Sequence, residues 1–565
     1  MFGMYGMKYV FAAAIFLLAA EMLADVPGVS RAKLLGLGWD TLVASPQEIL
    51  ENADEFDSSG LDGVFAMVSG VRADGAKYNA RYVSNNEPWT KAMVADAVAA
   101  LSQFRNHRGL RESCVFGWFA SRKRIDWNDD TGWARFASNV AVLAYVAKAS
   151  GLGRLHLDNE DYPGSRQYYY DAKLDGPSYE DVCRKARRRG AEMGRAVFGE
   201  FPELSLGFMW ILSEHRPYFT CSDPMEEKRK VGDLWPDFVN GLLDVMPAGA
   251  RLVDGDEHCY YADAENHDFY RHFWNQRQGA LRLVAPENRA KYLSQVSASG
   301  GIYLDMFVNN PESMWYFGPG ADGTRVGRFA GILSEAARVA TDYVWVYGEK
   351  HAFVDWRRDA EHCSAGNDKR FDKVRAEGRY TWEDALPGYK AALRLVTDSR
   401  NLAKEALSAN KGNLLNWKSY GSWQHEKKRQ GSFSTDSEDA VGGEFSLVAK
   451  GVAQGCFTYD ILAKPGEIYA ICGAVKGRGG ITVTWSSGGK LTSSERKYSL
   501  PLSASDDNGW SKGAMAVCVP PGMDKLVVHL GVSGQKTDEV TKFSGVRVVP
   551  CGGAASVVPA FADGN

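Results

Sequence analysis

A chain of 565 residues, 45% hydrophobic and 24% charged, is ordinary globular material with room for a large domain and a smaller one. Its formal net charge of −4 supplies no basic field for nucleic acid, and Arg187-Arg188-Arg189 reads as a solvated helix face. There is no glycine loop followed by Lys-Ser/Thr to cradle a phosphate and no Gly-x-Ser-x-Gly elbow, so neither a nucleotide cofactor nor a serine nucleophile is expected.

Residues 1–24 read as an export signal, with Lys8 at the positive end, an apolar core over 10–20 and Ala24 at a plausible cleavage position. That core is short for a bilayer, so the expectation is a secreted or periplasmic protein with no stable membrane insertion after cleavage. An uncleaved anchor is the alternative.

Eight apolar runs follow, at 34–40 (LLGLGWD), 61–68 (LDGVFAMV), 113–120 (SCVFGWFA), 155–162 (LHLDNEDY), 204–212 (LSLGFMWIL), 250–257 (ARLVDGDE), 301–308 (GIYLDMFV) and 341–349 (TDYVWVYGE). Near-continuous apolarity suits parallel strands buried on both faces. Helical periodicity fits between several of them. Trp133, Phe136, Val140, Leu143 and Val146 share a helix face that ends at Gly151. Ser178 and Asp181 resemble a capping box, continued by Val182, Ala186, Met193 and Val197. A third helix is expected over 325–340. Strands alternating with helices predict a (β/α)8 TIM barrel over 25–405.

Functional groups in that fold gather at the carboxyl ends of the strands, and Asp40, Asp158, Glu160, Asp254, Glu257, Asp305 and Glu349 all fall there. The most pointed cluster is Asp158-Asn159-Glu160-Asp161-Tyr162. On an extended chain Asp158 and Glu160 face the same way, and two carboxyls at one mouth push their pKa values apart, leaving one acid and one base for chemistry on an acetal. The catalytic candidates are Glu160 as general acid, Glu257 as its partner and Asp158 beside them. Glu257 lies on the opposite face from Asp254 and Asp256, so a bend at Gly255 is expected to bring it to the cleft. Sugar recognition needs flat apolar surfaces, and the chain has 16 Trp and 25 Tyr. Trp39, Tyr162, Tyr260 and Trp345, with Asp254, Asp305 and Glu349 for hydroxyls, are the candidate substrate contacts. Half or more of the aromatics serve packing alone.

A zinc-dependent barrel hydrolase wants His-x-His on its first strand, which 36–40 (GLGWD) lacks. His156 and His258 are isolated, so neither a metal nor any other cofactor is expected. The nine cysteines are scattered without metal-finger spacing, and at most one or two disulfides are expected.

Helical periodicity disappears beyond about 410. Short β runs at 444–449, 456–462, 468–475, 481–485, 514–519, 525–530 and 546–549, broken by Gly, Ser, Asp and Pro, predict an all-β jelly-roll sandwich over 411–553.

The tail motifs Asn413-Leu414-Leu415-Asn416-Trp417, Gly455-Cys456-Phe457 and Pro465-Gly466-Glu467-Ile468-Tyr469 resemble the jelly-roll carbohydrate-binding modules appended to polysaccharide-degrading enzymes. The barrel resembles the broad class of retaining TIM-barrel glycoside hydrolases, with no single family indicated. Its Asp158-Asn159-Glu160 is similar to the Asp-x-Glu ending of strand four in the family 18 chitinases. There the Glu is the acid and the Asp orients an acetamido group, but His156 stands where that family has a further Asp. Other barrel hydrolases pair strand four with strand seven, here Asp305, or with strand six, here Asp254, Asp256 and Glu257, and the count of acids favours six. The resemblance implies hydrolysis of glycosidic bonds in poly- or oligosaccharides. A barrel that binds carbohydrate without cleaving it is the competing class, and a lyase would require a Tyr, His or Lys base. Sugar, linkage, stereochemical outcome and oligomeric state are not encoded in these patterns.

Overall fold

Short apolar stretches rich in Val, Phe, Trp and Tyr and bounded by glycine satisfy their backbone groups best by pairing side by side, and nine of them do so here. The computed structural model describes residues 32–551, apart from 73, 82, 85–86, 163, 265–267, 321–322, 357–363, 365–367, 398–416, 421–430, 442–444, 492–496 and 521. The export segment, Cys363 and residues 413–416 lie outside the described residues.

The nine strands are β1 (Lys33–Gly38), β2 (Gly63–Met67), β3 (Cys114–Trp118), β4 (Arg154–Asp158), β5 (Ser205–Phe208), β6 (Arg251–Asp254), β7 (Val296–Ala298), β8 (Gly300–Tyr303) and β9 (Tyr343–Gly348). All are parallel, in the order β8-β9-β1-β2-β3-β4-β5-β6-β7. The two ends of that order, β7 and β8, are separated in the chain by Ser299 alone, so the sheet curls into a nearly closed barrel. Ser299 ties the edges together, its amide donating to Asp254 O at 3.0 Å and its hydroxyl to Tyr343 O at 2.7 Å. Each of the eight expected runs contains a strand. The three residues of β7 are too few to show a period.

The barrel interior is aromatic. Phe65, Phe116, His156, Tyr343 and Trp345 lie against one another, with Phe65 stacked on His156 at 4.6 Å and His156 Nδ1 at 2.6 Å from the Tyr343 hydroxyl. Gly207 leaves the room for this pair, since a Cβ there would stand 2.5 Å from His156 Nδ1. Burial holds the imidazole neutral, its pKa falling to about 3.

Outside the barrel, α1 (Asp130–Ser150) starts at Asp129, which accepts from Gly132 N, and stops at the left-handed Gly151. Helix α2 (Tyr179–Glu200) starts at Ser178, which accepts from Asp181 N. The Asp181 carboxylate pairs with Arg184 instead of completing a capping box. Helix α3 (Trp235–Val245) crosses α2 at Gly190 and Gly241, where a Cβ would stand 2.0 Å from Phe238 O and 1.9 Å from Arg187 O. The third expected helix is α4 (Arg325–Val339). No helix among the described residues is long and apolar enough to cross a membrane. The eight described cysteines are free thiols, so no disulfide forms among them.

Contacts divide the chain into two units, one built on 31–317 and 335–386 and the other on 318–334 and 387 onward. The second unit holds two antiparallel sheets. Its strands are β10 (Lys418–Tyr420), β11 (Ser432–Asp436), β12 (Ser446–Lys450), β13 (Gln454–Leu462), β14 (Ile468–Lys476), β15 (Gly480–Ser487), β16 (Lys490–Leu491), β17 (Tyr498–Ser499), β18 (Trp510–Cys518), β19 (Lys525–Ser533) and β20 (Val540–Pro550). One sheet runs β10-β13-β19-β15-β16, with β17 on β15, and the other β11-β12-β20-β14-β18. Leu447, Phe457, Ile471, Trp485, Leu526 and Phe543 share its core. Each of the seven expected β runs overlaps a strand.

Candidate active site at the carboxyl ends of the barrel strands

Strand β4 ends at Asp158, and its side chain immediately turns back, Oδ1 accepting from Glu160 N at 2.9 Å. This Asx turn, and no further extension of the strand, sets Glu160 beside Asp158. The second carboxylate arrives from β6. The bend expected at Gly255 falls one residue later, on Asp256, which is left-handed at φ 39° and ψ 76°. Gly255 serves close approach, since a Cβ there would lie 2.6 Å from Phe208 O. A non-glycine residue in this conformation is held by its surroundings. Asp256 is buried, and its Oδ2 accepts from Gln276 Nε2 at 3.0 Å and contacts His272 Nδ1 at 2.9 Å. The turn delivers Glu257 to the mouth.

There the Glu160 and Glu257 carboxyls come within hydrogen-bonding reach of each other, a contact that requires one of the two to carry a proton. Burial, then the Glu160 charge, pushes Glu257 up to about 8, although a hydrogen bond from Tyr260 acts against the rise. Burial also raises Glu160, opposed by the Tyr162 hydroxyl that donates to Oε2, while the charges of Glu214 and Glu349 add to the rise. Asp158 is raised well above the ordinary carboxylate range, first by burial and then by Glu160. Chemically, this is a group of carboxyls that cannot all ionise together at neutral pH, so a proton donor and a carboxylate base coexist.

The cleft around them is lined by Leu37, Trp39, Leu42, Phe116, Trp118, Asp158, Glu160, Tyr162, Met209, Glu257, Tyr260 and Tyr347. Tyr162, 63% exposed, leans over Glu160 with its ring 5.9 Å from that of Trp118. Tyr260 stacks on Tyr347 at 6.0 Å. The Arg81 guanidinium lies over both Trp39 and Trp118, at 5.9 and 5.0 Å. Six of the ten candidate residues therefore meet in one cleft: Asp158, Glu160, Glu257, Trp39, Tyr162 and Tyr260.

The other four stand elsewhere. Asp254 is fully buried and accepts from the amides of Ile211, Leu212 and Ser213 at 2.9 to 3.0 Å and from the Ser213 hydroxyl at 2.5 Å, so it shapes the loop after β5. Trp345 is buried in the barrel, its indole donating to Gly255 O at 2.9 Å. Asp305 is buried and accepts from Glu349 N at 2.8 Å, and burial lifts it to about 7. Glu349 is half-buried at the rim, accepting from the Tyr347 hydroxyl at 2.7 Å. Sequence reasoning passed over Tyr347, which shares a strand face with Glu349, and Glu214, which follows the fifth apolar run and pairs with His258 at 2.6 Å.

Asp256, Cys259 and His272 place one potential metal ligand each within 4.8 Å of the others. Arg216 Nη1 already stands 3.2 Å from His272 Nε2, putting a cation beside them, and the arrangement fits a buried hydrogen-bonded support better than a metal centre.

No family model matches the chain, and no curated protein matches it. Among solved structures it is similar to the enzymatically active domain of tailspike protein 4 of bacteriophage CBA120, at 18% identity, 25% of this chain, 20% of that one and a TM-score of 0.19. It is also similar to modules of the N-terminal endo-1,4-beta-D-xylanase 10B of Clostridium thermocellum complexed with xylohexaose, at 9%, 24%, 26% and 0.18. A third is TmCBM61 in complex with beta-1,4-galactotriose, at 14%, 25%, 92% and 0.17. The chain thus spans about a fifth of the tailspike and a quarter of the xylanase. Likenesses with TM-scores this low carry no argument about fold or activity.

Proposed function

We propose that this chain is an exported glycoside hydrolase whose barrel cleaves glycosidic bonds in poly- or oligosaccharides with Glu160 and Glu257. The observation that carries the reading is the contact between these two carboxyls, each raised by burial, at the base of a cleft walled by Trp39, Trp118, Tyr162 and Tyr260.

The hydroxyl of Tyr162 on Glu160 and the upward push of burial and the Glu160 charge on Glu257 favour roles opposite to those expected from the sequence. Glu257, the carboxyl pushed up to about 8 by burial and the Glu160 charge, is the general acid that protonates the leaving oxygen as the C–O bond breaks. Glu160, accepting from Tyr162, is the carboxylate that meets the anomeric carbon. Retaining enzymes hold the pair roughly 5 to 5.5 Å apart and inverting ones roughly 6.5 to 9.5 Å. A pair in contact needs the smaller opening to admit the reacting bond, so we assign retention, with water later deprotonated by Glu257. Asp158 orients Glu160 through its amide, and Glu349, held by Asp305, binds a hydroxyl at the rim.

On the same reading the barrel is a (β/α)8 fold whose seventh strand is broken at Ser299, and the second unit is a jelly-roll of carbohydrate-binding type. The test is turnover on a panel of aryl glycosides and oligosaccharides. Glu257→Gln is expected to lose about 10²-fold or more on substrates with poor leaving groups and much less on activated ones, and Glu160→Gln to lose at least as much on both. Proton NMR of the first product should show the substrate's anomeric configuration. Wild-type binding of oligosaccharides with no turnover would instead identify a non-catalytic sugar-binding barrel.

A further inference from the structure

The larger cavity lies at the opposite end of the barrel, among the residues that begin its strands. It measures about 500 Å³ and is lined by Arg154, Arg251, Arg277, Ser297 and Asp342 together with Leu152, Gly153, Ser205, Ser294, Val296 and Thr341. That face of a barrel ordinarily serves stability, which needs neither an open cavity nor a gathering of cations. Arg154 is held by Glu112 at 2.8 Å and lies 3.7 Å from Asp342. Arg277 spends one nitrogen on Leu293 O at 2.6 Å. Arg251 is the exposed first residue of β6; its amide donates to Leu204 O at 3.0 Å, while its guanidinium makes no hydrogen bond or ion pair among the described residues. The lining thus holds three guanidinium groups against one carboxylate.

We propose that this cavity binds a sugar-sized anion carrying a phosphate or sulfate group, its oxyanion held by Arg251 and Arg277 and hydrogen-bonded by the Ser297 hydroxyl. Guanidinium forks match tetrahedral oxyanions in shape and charge. The volume falls within the range of small-molecule sites and far exceeds that of a bare oxyanion, which sets the size of the attached body. The site is independent of the catalytic cleft, and its failure would leave that reading untouched.

The test is calorimetric titration and thermal unfolding of the full chain at low ionic strength with glucose 6-phosphate, glucose 6-sulfate and glucose. At saturation at least one charged ester is expected to raise the unfolding midpoint by about 3 °C or more, with glucose giving no shift, and the two esters separate phosphate from sulfate as the source. Arg251→Gln and Arg277→Gln, each made alone, should weaken ester binding about tenfold or more. Arg251 is exposed at a strand start, so its substitution leaves folding intact. Glu257→Gln should bind the ester as the wild type does. Equal shifts with glucose, no shift with either ester, or undiminished binding in Arg251→Gln would overturn the proposal.

Discussion

Glu257 keeps its proton in the folded protein to about pH 8, whereas its ordinary value is 4.5. A carboxyl raised in this way contributes stability that is fully present below its unfolded value and is lost as pH rises toward the folded one. Between about pH 4.5 and 8 the native state therefore weakens on account of this residue. Glu257→Gln should remove that loss, so urea midpoints of variant and wild type should agree near pH 4 and separate at pH 8, with the variant higher. A variant that is no more resistant at pH 8 would contradict the raised value. If Glu257 is the acid, kcat/KM should also fall as pH passes through about 8. Tyr162 works on the other limb. Its hydroxyl donates to Glu160 and holds that carboxyl down against burial, so Tyr162→Phe should raise the Glu160 pKa and move the ascending limb of the pH profile to higher pH. An unmoved limb would mean that another group sets it.

At the scale of elements, the site depends on how two strands end. Asp254 closes β6 by collecting three amides and a hydroxyl from the loop after β5, and this loop carries Glu214. Asp254→Ala leaves those buried donors unpaired and should cost about 3 kcal/mol or more, read as a lower denaturation midpoint. Asp256 then turns the chain. Asp256→Gly permits the same left-handed backbone but gives up the contacts to His272 and Gln276, so kcat should fall while far-ultraviolet dichroism stays native. Unchanged turnover would show that conformation alone, without the side-chain anchor, aims Glu257. The α2–α3 crossing gives a third handle, because no side chain fits at Gly190 or Gly241 without displacing a helix. Alanine at either should destabilise by about 1 to 3 kcal/mol.

For the whole molecule, the two units have separate cores, one of aromatic layers inside a parallel barrel and one between antiparallel sheets. Calorimetry should then show two unfolding transitions. Trp485 is fully buried in the second core, and Trp485→Ala should lower one transition by about 3 to 5 kcal/mol equivalent, with Asp254→Ala lowering the other. A single transition shifted by both variants would mean that the units unfold as one.

Much of this architecture was legible in the chain because strands buried on both faces have to be apolar throughout, while antiparallel strands have to be short and punctuated by turns. Those constraints act on neighbouring residues, and they placed a strand in all eight barrel runs and all seven tail runs. They also brought Asp158 and Glu160 together, since two residues on one short segment cannot stray far apart. What the sequence could not determine is which acids from distant strands share a cleft. Asp254, Glu257, Asp305 and Glu349 all end strands, yet Asp254 and Asp305 spend their charge on backbone amides and Trp345 turns into the barrel. Of these four only Glu257, through a left-handed turn at Asp256 that no local pattern announces, comes into contact with Glu160, while Glu349 acts on it through its charge. Burial and hydrogen-bond accounting decide such outcomes, and both are sums over contacts made by residues far apart in the chain. The cavity at the barrel's other end has the same origin, for Arg154, Arg251 and Arg277 share no motif and meet only when the sheet curls.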